Sequence, residues 1–320
     1  MTDYFGNNFN LRVPIVQGPM GGVAGPELVA AVANAGGLGI LPIWHQPAQM
    51  AARAIAETQA LTDSAFGVNV RADLKQIEHI RTALDAGVSI IHLFWGDPSD
   101  SMRQIDAAGA RMIATIGDTE AAKIALDAGA SALIAQGIEA GGHVLGDTPL
   151  RSLLESVVSM ATDVPVIAAG GLADAEDVAE MIDAGASGVL LGTRFVMTEE
   201  SMAHDDYKRL LLNAGADSTA RSLCFDGTWP DAPHRILQNS TLAAWDSAGQ
   251  PDPGSRPGEG DIVLKSDDVS FPRYSVMPPI RGMVGDIGSA ALYAGMGVAK
   301  INDCPSVADL VDELVSKIPH

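Results

Sequence analysis

The sequence predicts an α/β protein, a (βα)8 TIM barrel with an inserted, mostly helical cap domain. Three observations lead to this prediction. Short apolar segments alternate with Ala-rich segments of helical periodicity through the first 200 residues or so. The predicted helices repeatedly end in the same Asp-Ala-Gly signature, and the apolar segments repeatedly lead into polar or glycine-rich loops.

Eight apolar segments read as strands, beginning near residues 13, 38, 66, 88, 111, 131, 165 and 188. They are apolar on both faces instead of alternating, which is typical of parallel strands covered by helices. An open doubly wound sheet would usually carry one dominant nucleotide loop near its start. Eight consecutive βα units therefore favour closure into a barrel.

A recurrent helix ending separates these units. It is found at Asp85-Ala-Gly87, Asp106-Ala-Ala-Gly109, Asp127-Ala-Gly129 and Asp183-Ala-Gly185. Glycine just after a helix can adopt positive φ and allow the last carbonyl groups to be satisfied. Each glycine is therefore predicted to end a helix directly before the next strand.

The βα rhythm is lost after Arg194. Residues 199–214 read as a helix, and the segment from about 217 to 280 contains eight prolines. We predict three parts: a barrel over residues 1–215, an inserted cap on the substrate side over residues 216–282, and C-terminal helices over residues 283–320 that complete the barrel.

Composition excludes several classes of protein. A net charge of −20 without a basic patch argues against binding to nucleic acid. Two cysteines without CxxC spacing exclude a disulfide framework and a structural zinc site. No apolar run approaches the ~20 residues that span a bilayer, and residues 1–8 do not resemble a signal peptide. We expect a cytoplasmic protein that does not bind membranes, with a homodimer as the default assembly.

Two glycine turns follow the last two strands, where barrels commonly bind phosphate. They are Ala169-Gly-Gly171 and Gly192-Thr193. Backbone N–H groups in such turns can surround an anion without interference from side chains. Glycine in these places could instead serve close packing of helix against strand, so each turn alone is a weak signal.

His143 is the strongest catalytic candidate, because Gly141 and Gly142 place it on a tight loop after the sixth strand. Histidine suits general base catalysis near neutral pH, or stabilisation of an anion when it is protonated; the alternative is a residue that stabilises the loop. His45, His92 and Trp95 also follow strands, and their roles stay open. No Ser–His–Asp order, HExxH motif or carboxylate cluster occurs, so we expect no metal and infer that a bound cofactor supplies the chemistry.

Five motifs in order closely resemble those of the nitronate monooxygenase family, and the resemblance resumes at Leu292-Tyr-Ala-Gly-Met-Gly297. The motifs are Gln17-Gly-Pro-Met-Gly21, Phe66-Gly-Val-Asn69, Gln136-Gly-Ile-Glu-Ala-Gly-Gly-His143, Ala168-Ala-Gly-Gly171 and Leu190-Leu-Gly-Thr-Arg-Phe195. The resemblance covers about the first 200 residues well. It implies an FMN-binding barrel that oxidises alkyl nitronates with dioxygen, without a metal.

The resemblance also implies residue roles. His143 would be the catalytic histidine, which deprotonates a neutral nitroalkane or steadies the nitronate anion. The loop containing Met20 would lie against the flavin ring, and Gly171 with the turn that includes Gly192 would hold the phosphate. The predicted cofactor site in full is Gly18, Pro19, Met20, Asn69, Thr115, Gln136, Gly141, Gly142, Gly170, Gly171, Leu190, Leu191, Gly192 and Thr193.

Other enzymes share the glycine-glycine-histidine loop. The scaffold also resembles NADH:quinone reductases and flavin-dependent enoyl-thioester reductases, in which NAD(P)H donates hydride, so the sequence leaves the electron donor open. A flavin-free phosphate-sugar lyase or isomerase could use the same phosphate turn. Such enzymes usually need a lysine or an acid–base carboxylate at a strand end, and no lysine lies at the exit of any of the eight predicted strands.

Overall fold

Eight parallel strands form the centre of the molecule in the computed structural model, which describes residues 9–267 and 269–318. In chain order they are β1 (Ile15–Gln17), β2 (Ile40–Pro42), β3 (Gly67–Arg71), β4 (Ile90–Phe94), β5 (Arg111–Ile116), β6 (Ala132–Gln136), β8 (Val166–Ala169) and β9 (Gly188–Leu191). From β2 onward each of these strands pairs with the next along the chain, and β1 pairs with β9. The short strand β7 (Gly142–His143) lies in the loop after β6 and belongs to a different sheet.

The sheet closes between β1 and the residues just before β2. Gln17 N–H donates to the carbonyl of Leu38 at 2.9 Å, and Leu38 N–H donates to Ile15 at 2.9 Å. This parallel bridge joins the two ends of the strand order. The predicted TIM barrel is confirmed.

Eleven α-helices occur in the described part of the chain, most of them on the outside of the barrel. They are α1 (Pro26–Asn34), α2 (Ala48–Leu61), α3 (Ile77–Asp85), α4 (Ser99–Ala107), α5 (Thr119–Asp127), α6 (Leu150–Met160), α7 (Ala175–Asp183), α8 (Thr193–Val196), α9 (Asp205–Leu212), α10 (Ser240–Ser247) and α11 (Val307–Val315). The four predicted helix-ending glycines, Gly87, Gly109, Gly129 and Gly185, all have positive φ. Two N-terminal caps are carboxylates: Asp118 accepts from Ala121 N–H and Asp174 from Asp177 N–H.

The apolar core has two layers. Side chains inside the barrel form a compact cluster that includes Val16, Ile90 and Ile134. A larger cluster lies between the outer face of the strands and the helices, and α11 completes it by packing against α1 and α7. With its interior filled by side chains, the barrel can present chemistry only at the strand ends.

The predicted mostly helical cap is corrected. Between residues 216 and 282 the structure has four strands, β10 (Thr219–Ser222), β11 (His234–Leu237), β12 (Ile262–Lys265) and β13 (Ser270–Pro272), and one α-helix, α10. The prolines offer no N–H group for a helix, and segments of three or four residues pair as strands instead. The boundaries of the three predicted parts stay a prediction.

The cap is tied to the barrel by backbone pairing. The order of one small sheet is β10-β11-β7, so the strand that contains His143 pairs antiparallel with β11. The other small sheet has the order β13-β12-β14, and β14 is Val284–Gly285. The cap therefore fixes the loop that was predicted to be catalytic.

The remaining chain differs in detail from prediction. Within the C-terminal region that was predicted to be helical, two short 3-10 helices occur, at Ile287–Ser289 and Met296–Lys300. None of the helices described in residues 9–267 and 269–318 is long and apolar enough to cross a membrane. The prediction about the N-terminal signal concerns residues 1–8, which lie outside the described residues.

Candidate active site

A cavity of about 580 Å³ opens at the carboxyl ends of the barrel strands. It is lined by the predicted catalytic residue and by every predicted cofactor residue: Gly18, Pro19, Met20, Asn69, Thr115, Gln136, Gly141, Gly142, His143, Gly170, Gly171, Leu190, Leu191, Gly192 and Thr193. Among the described residues, no Lys, Arg, Asp or Glu lines this cavity. Its wall is therefore apolar with a few neutral polar groups, as small-molecule sites usually are.

Three side chains form a hydrogen-bonded row across β3, β4 and β5. Asn69 Nδ2 donates to His92 Nδ1 at 3.0 Å, and His92 Nε2 bonds to Thr115 Oγ1 at 2.7 Å. Burial lowers the pKa of His92 to about 3, so its ring is neutral and carries its proton on Nε2. His92 therefore acts as a buried link that fixes the two predicted cofactor residues on either side.

Gln136 braces the loop that carries His143. Its side-chain N–H group donates to the carbonyl of His143 at 3.0 Å, and its oxygen accepts from Leu145 N–H at 2.9 Å. Glu139 caps helix α6 by accepting from Leu150 N–H at 2.9 Å. Both side chains order the loop that carries His143.

The glycine turns after β8 and β9 meet a third glycine segment. Gly171 has φ +70°, a conformation that glycine adopts without strain. A Cβ on Gly297 would collide with the carbonyl group of Gly171, and Gly295 N–H donates to Thr193 Oγ1 at 3.0 Å. Residues 295–297 therefore pack directly against both turns, and only glycine permits this approach.

His143 lines the cavity and carries an unpaired ring nitrogen. Its Nε2 atom is buried and has no hydrogen-bond partner among the described residues. Burial, followed by the nearby His234 and Arg71, lowers the pKa of His143 well below the usual value. The imidazole is therefore neutral at pH 7, with the ability to accept a proton.

An aromatic cluster covers His143 from the cap side. The indole of Trp229 stacks on the imidazole with centroids 3.9 Å apart and an interplanar angle of 19°. Trp44, Phe94 and Trp95 meet Trp229 edge-on, with centroids 5.2–6.2 Å apart. The chain has only four tryptophans, and three of them assemble here.

The other residues considered from sequence lie near the cavity. His45 is exposed at the mouth, with its ring 5.3 Å from Trp44. Trp95 has φ +61°, a strained conformation for a non-glycine residue that is common at functional sites. No group of three His, Cys, Asp or Glu side chains that could hold a metal ion occurs in residues 9–267 and 269–318.

Several residues of the site were not predicted from the sequence. The most important are Trp229, Tyr293, Gly295 and Gly297, which come from the cap and the segment after it. The sequence Gly227-Thr-Trp-Pro230 offered one signal, since tryptophan is rare in this chain and here lies between glycine and proline. The contact with His143 depends on how the cap folds back.

Comparison with known proteins identifies a matching family and several similar enzymes. A family model described as nitronate monooxygenase matches residues 5–80 and 74–317. The chain is 34% identical to (3aS,4S,5R,7aS)-5-hydroxy-7a-methyl-1-oxo-octahydro-1H-indene-4-carboxyl-CoA dehydrogenase of Rhodococcus jostii (strain RHA1), over 95% of this chain and 92% of the relative. It is 30% identical to a nitronate monooxygenase of Pseudomonas aeruginosa, over 99% of each.

Two solved structures are also similar. One is a nitroalkane oxidase from Streptomyces ansochromogenes, with TM-score 0.79 and 28% identity, covering 98% of this chain and 97% of that one. The other is FabK from Thermotoga maritima, with TM-score 0.80 and 26% identity, covering 97% and 94%. These similarities indicate that the chain is an oxidoreductase.

Proposed function

The chain belongs to the nitronate monooxygenase family, and we propose that it is an FMN-dependent enzyme that oxidises nitroalkanes and their nitronates with dioxygen. One observation carries the proposal. His143 lines a cavity that no charged side chain lines within the described part of the chain, and its buried Nε2 atom has no hydrogen-bond partner there. A neutral imidazole there suits removal of a proton from an uncharged carbon acid.

Of the two roles expected for His143, the geometry supports the base. Stabilisation of an anion by a resident cation would require a protonated ring, and burial opposes protonation. In the proposed step, Nε2 takes the proton from the carbon beside the nitro group. The C–H electron pair becomes the new C=N bond, the N=O π electron pair moves onto the nitro oxygen, and the nitronate forms next to an imidazolium ion.

FMN fits the rest of the cavity. An isoalloxazine ring needs an apolar wall, and a phosphate needs N–H donors from backbone that can approach closely. The loop with Met20 supplies apolar surface, and the glycine turns around Gly171 and Gly192 expose backbone without side chains. We assign the ring to the first region and the phosphate to the second, where Gly295 and Gly297 would complete the enclosure.

When bound, the flavin would accept electrons from the nitronate and pass them to dioxygen. The contribution of the chain is to hold substrate and base in place and to exclude water. Asn69 and Thr115 are fixed by His92, and the cap covers His143 with aromatic rings. A dry site of this kind strengthens the attraction between the nitronate and the imidazolium ion.

Anaerobic stopped-flow absorbance is the test. The FMN-loaded protein is mixed separately with nitroethane, ethyl nitronate, NADH and NADPH, and bleaching of the flavin is followed. We expect both nitro compounds to bleach the flavin faster than the nicotinamides do. A protein that purifies without FMN and cannot be reconstituted, or whose flavin is bleached only by NADH or NADPH, would refute the proposal.

A second candidate function is oxidation or reduction of an acyl-CoA thioester. The observation that favours it is the 34% identity to the hydroxy-methyl-oxo-octahydroindene-carboxyl-CoA dehydrogenase, over nearly the whole of both chains. Carbon next to a thioester carbonyl is also a carbon acid, so His143 could serve as the base there too. The charged CoA moiety would have to stay outside the cavity, and adding saturated and unsaturated acyl-CoA thioesters to the stopped-flow series separates the two functions.

A further inference from the structure

Trp229 of the cap lies between two side chains of the barrel. The Arg71 guanidinium carbon is 3.4 Å from the centroid of the indole, and the imidazole of His143 stacks at 3.9 Å. Two planar groups this close to one ring must lie on opposite faces of it. The cap thus joins the end of β3 to the catalytic loop through a single aromatic side chain that is 4% exposed.

The Arg71 side of this stack is fixed. Its guanidinium makes two hydrogen bonds to the Asp73 carboxylate, at 3.0 and 2.6 Å. This paired, planar contact holds the guanidinium in one orientation. Since Asp73 already neutralises Arg71, the arginine is better suited to support Trp229 than to bind an anionic substrate.

The loop before Trp229 is also anchored. Asp226 pairs with both terminal nitrogens of the Arg256 guanidinium, at 2.5 and 2.6 Å. The N–H group of Gly227 donates to the Tyr274 carbonyl at 3.1 Å, and Trp229 N–H donates to Asp226 at 2.8 Å. Trp229 is therefore held both through its ring and through its backbone.

The imidazole of His143 has no comparable support from hydrogen bonds. In residues 9–267 and 269–318 no side-chain hydrogen bond to its ring is present, whereas catalytic bases are usually oriented by a third group bonded to them. Its other aromatic neighbours, Trp95, His234 and Tyr293, meet it tilted or edge-on at 5.5–6.0 Å. Trp229 alone lies parallel to it within the described structure.

We propose that Trp229 is a positioning residue for His143, which sets the plane of the imidazole by stacking and is held in turn by Arg71. A nitrogen lone pair lies in the plane of the ring, so stacking restricts the tilt of the ring without occupying Nε2. This inference rests on the proposed role of His143 as a base. It predicts that damage to the stack impairs proton removal and spares reactions that need none.

The kinetic test compares nitroethane, which must lose a proton, with preformed ethyl nitronate. Trp229→Leu should lower kcat for nitroethane about 10- to 100-fold and leave kcat for the nitronate within about twofold. Trp229→Phe keeps an aromatic face and should recover most of the loss. Equal effects on both compounds in Trp229→Leu at unchanged FMN content would overturn the proposal, as would no effect on either.

Two controls exclude general damage to the cap. Trp245→Phe changes another cap tryptophan, whose Nε1 donates to Pro251 at 3.0 Å outside the cavity, and it should alter neither reaction. Arg71→Lys keeps the positive charge near His143 and removes the planar group that supports Trp229, so it should lower the ratio of kcat for nitroethane to kcat for ethyl nitronate as Trp229→Leu does, but by less. If Trp229→Leu does not fold, the same kcat ratio measured in Arg71→Lys decides the question, and a ratio equal to that of the wild type would overturn the proposal.

Histidine NMR makes the inference independent of the substrate. Stacking on an indole shifts the ring-proton resonances of His143 upfield, and this shift should be present in the FMN-loaded wild type and absent in Trp229→Leu. An unshifted His143 in the wild type would overturn the inference whatever the enzyme oxidises. A shifted His143 with no bleaching by nitro compounds would refute the proposed function and leave the stack intact.

Discussion

At the scale of single residues, His143 is the group whose chemistry can be tested most directly. His143→Asn keeps a polar side chain of similar reach and cannot act as a general base. We expect the rate of flavin bleaching by nitroethane to fall by about 10²- to 10⁴-fold, and bleaching by ethyl nitronate to change much less. Rapid mixing under anaerobic conditions measures both, and equal losses would argue that His143 does not remove the proton.

The low pKa of His143 leads to a second expectation. A base must be unprotonated to act, and the ordinary histidine pKa of about 6.5 would make activity decline below that value. Because burial keeps His143 neutral to lower pH, kcat/KM for nitroethane should stay level through pH 6.5 and decline only in more acidic solution. A pH profile with its acidic limb at 6.5 would show that the ring is solvated in the working enzyme.

The residues that the sequence identified share one property: they lie in motifs that follow a strand and resemble those of a known family. Gly171 and His143 could be named as candidates in this way, while close packing and loop stabilisation stayed open as their alternative roles. Trp229 could not, since tryptophan usually packs in a core and its partners here, Arg71 and His143, are more than 80 residues away. Such contacts depend on tertiary packing and leave no local pattern.

At the scale of elements, the segment around Gly297 extends the predicted cofactor site. Gly297→Ala would place a methyl group against the carbonyl of Gly171, and backbone cannot yield as a flexible side chain would. We expect the variant to retain little FMN after purification and to lose about 1–3 kcal/mol of stability. Flavin absorbance relative to protein absorbance and chemical denaturation measure the two effects.

Gly288→Ala provides the matched control. Gly288 lies in the neighbouring 3-10 helix, and the nearest atom to an added Cβ is 3.8 Å away. This variant should keep its FMN and its stability. Full FMN content in Gly297→Ala would mean that residues 295–297 do not contribute to the cofactor site.

The cap is the element that the sequence described least well. The parallel strands of the barrel can be recognised in the sequence because both of their faces are buried and the same βα unit is repeated eight times. The cap strands are three or four residues long, and one of them pairs with β7, which is itself two residues long. Pairings of this size are decided by neighbouring chain segments, so periodicity could not separate them from the loops around them.

At the scale of the whole molecule, the barrel was predictable because eight consecutive βα units favour closure of the sheet into a barrel. Each βα unit buries its strand under its own helix, and α11 supplies the helix that the interrupted chain would otherwise lack. The long insertion follows the eighth strand, so the barrel pattern is complete before the cap begins. The location of the site followed from the barrel, because all strand ends point to one face.

Buried neutral histidines should also shape the acid stability of the molecule. His92 and His234 are 1% and 0% exposed, and burial lowers the pKa of both, in His92 to about 3. The unfolded chain takes up protons on these residues near pH 6.5, while the folded chain does so only at lower pH. The unfolded state therefore binds more protons below pH 6.5, and stability must fall as the solution is made acidic.

The window from pH 6.5 to 5 isolates this effect, because most carboxylates stay ionised in both states there. Each such histidine should contribute a loss of up to about 1.4 kcal/mol per pH unit, measured as the free energy of unfolding in urea. His92→Gln keeps a donor and an acceptor for Thr115 and Asn69 and removes the titrating group. The free energy of unfolding of this variant should therefore fall less steeply with decreasing pH, by about the contribution of one histidine. An unchanged slope in that variant, or a stability that does not fall across the window, would show that water reaches these rings and that the strand ends are less dry than the proposed chemistry requires.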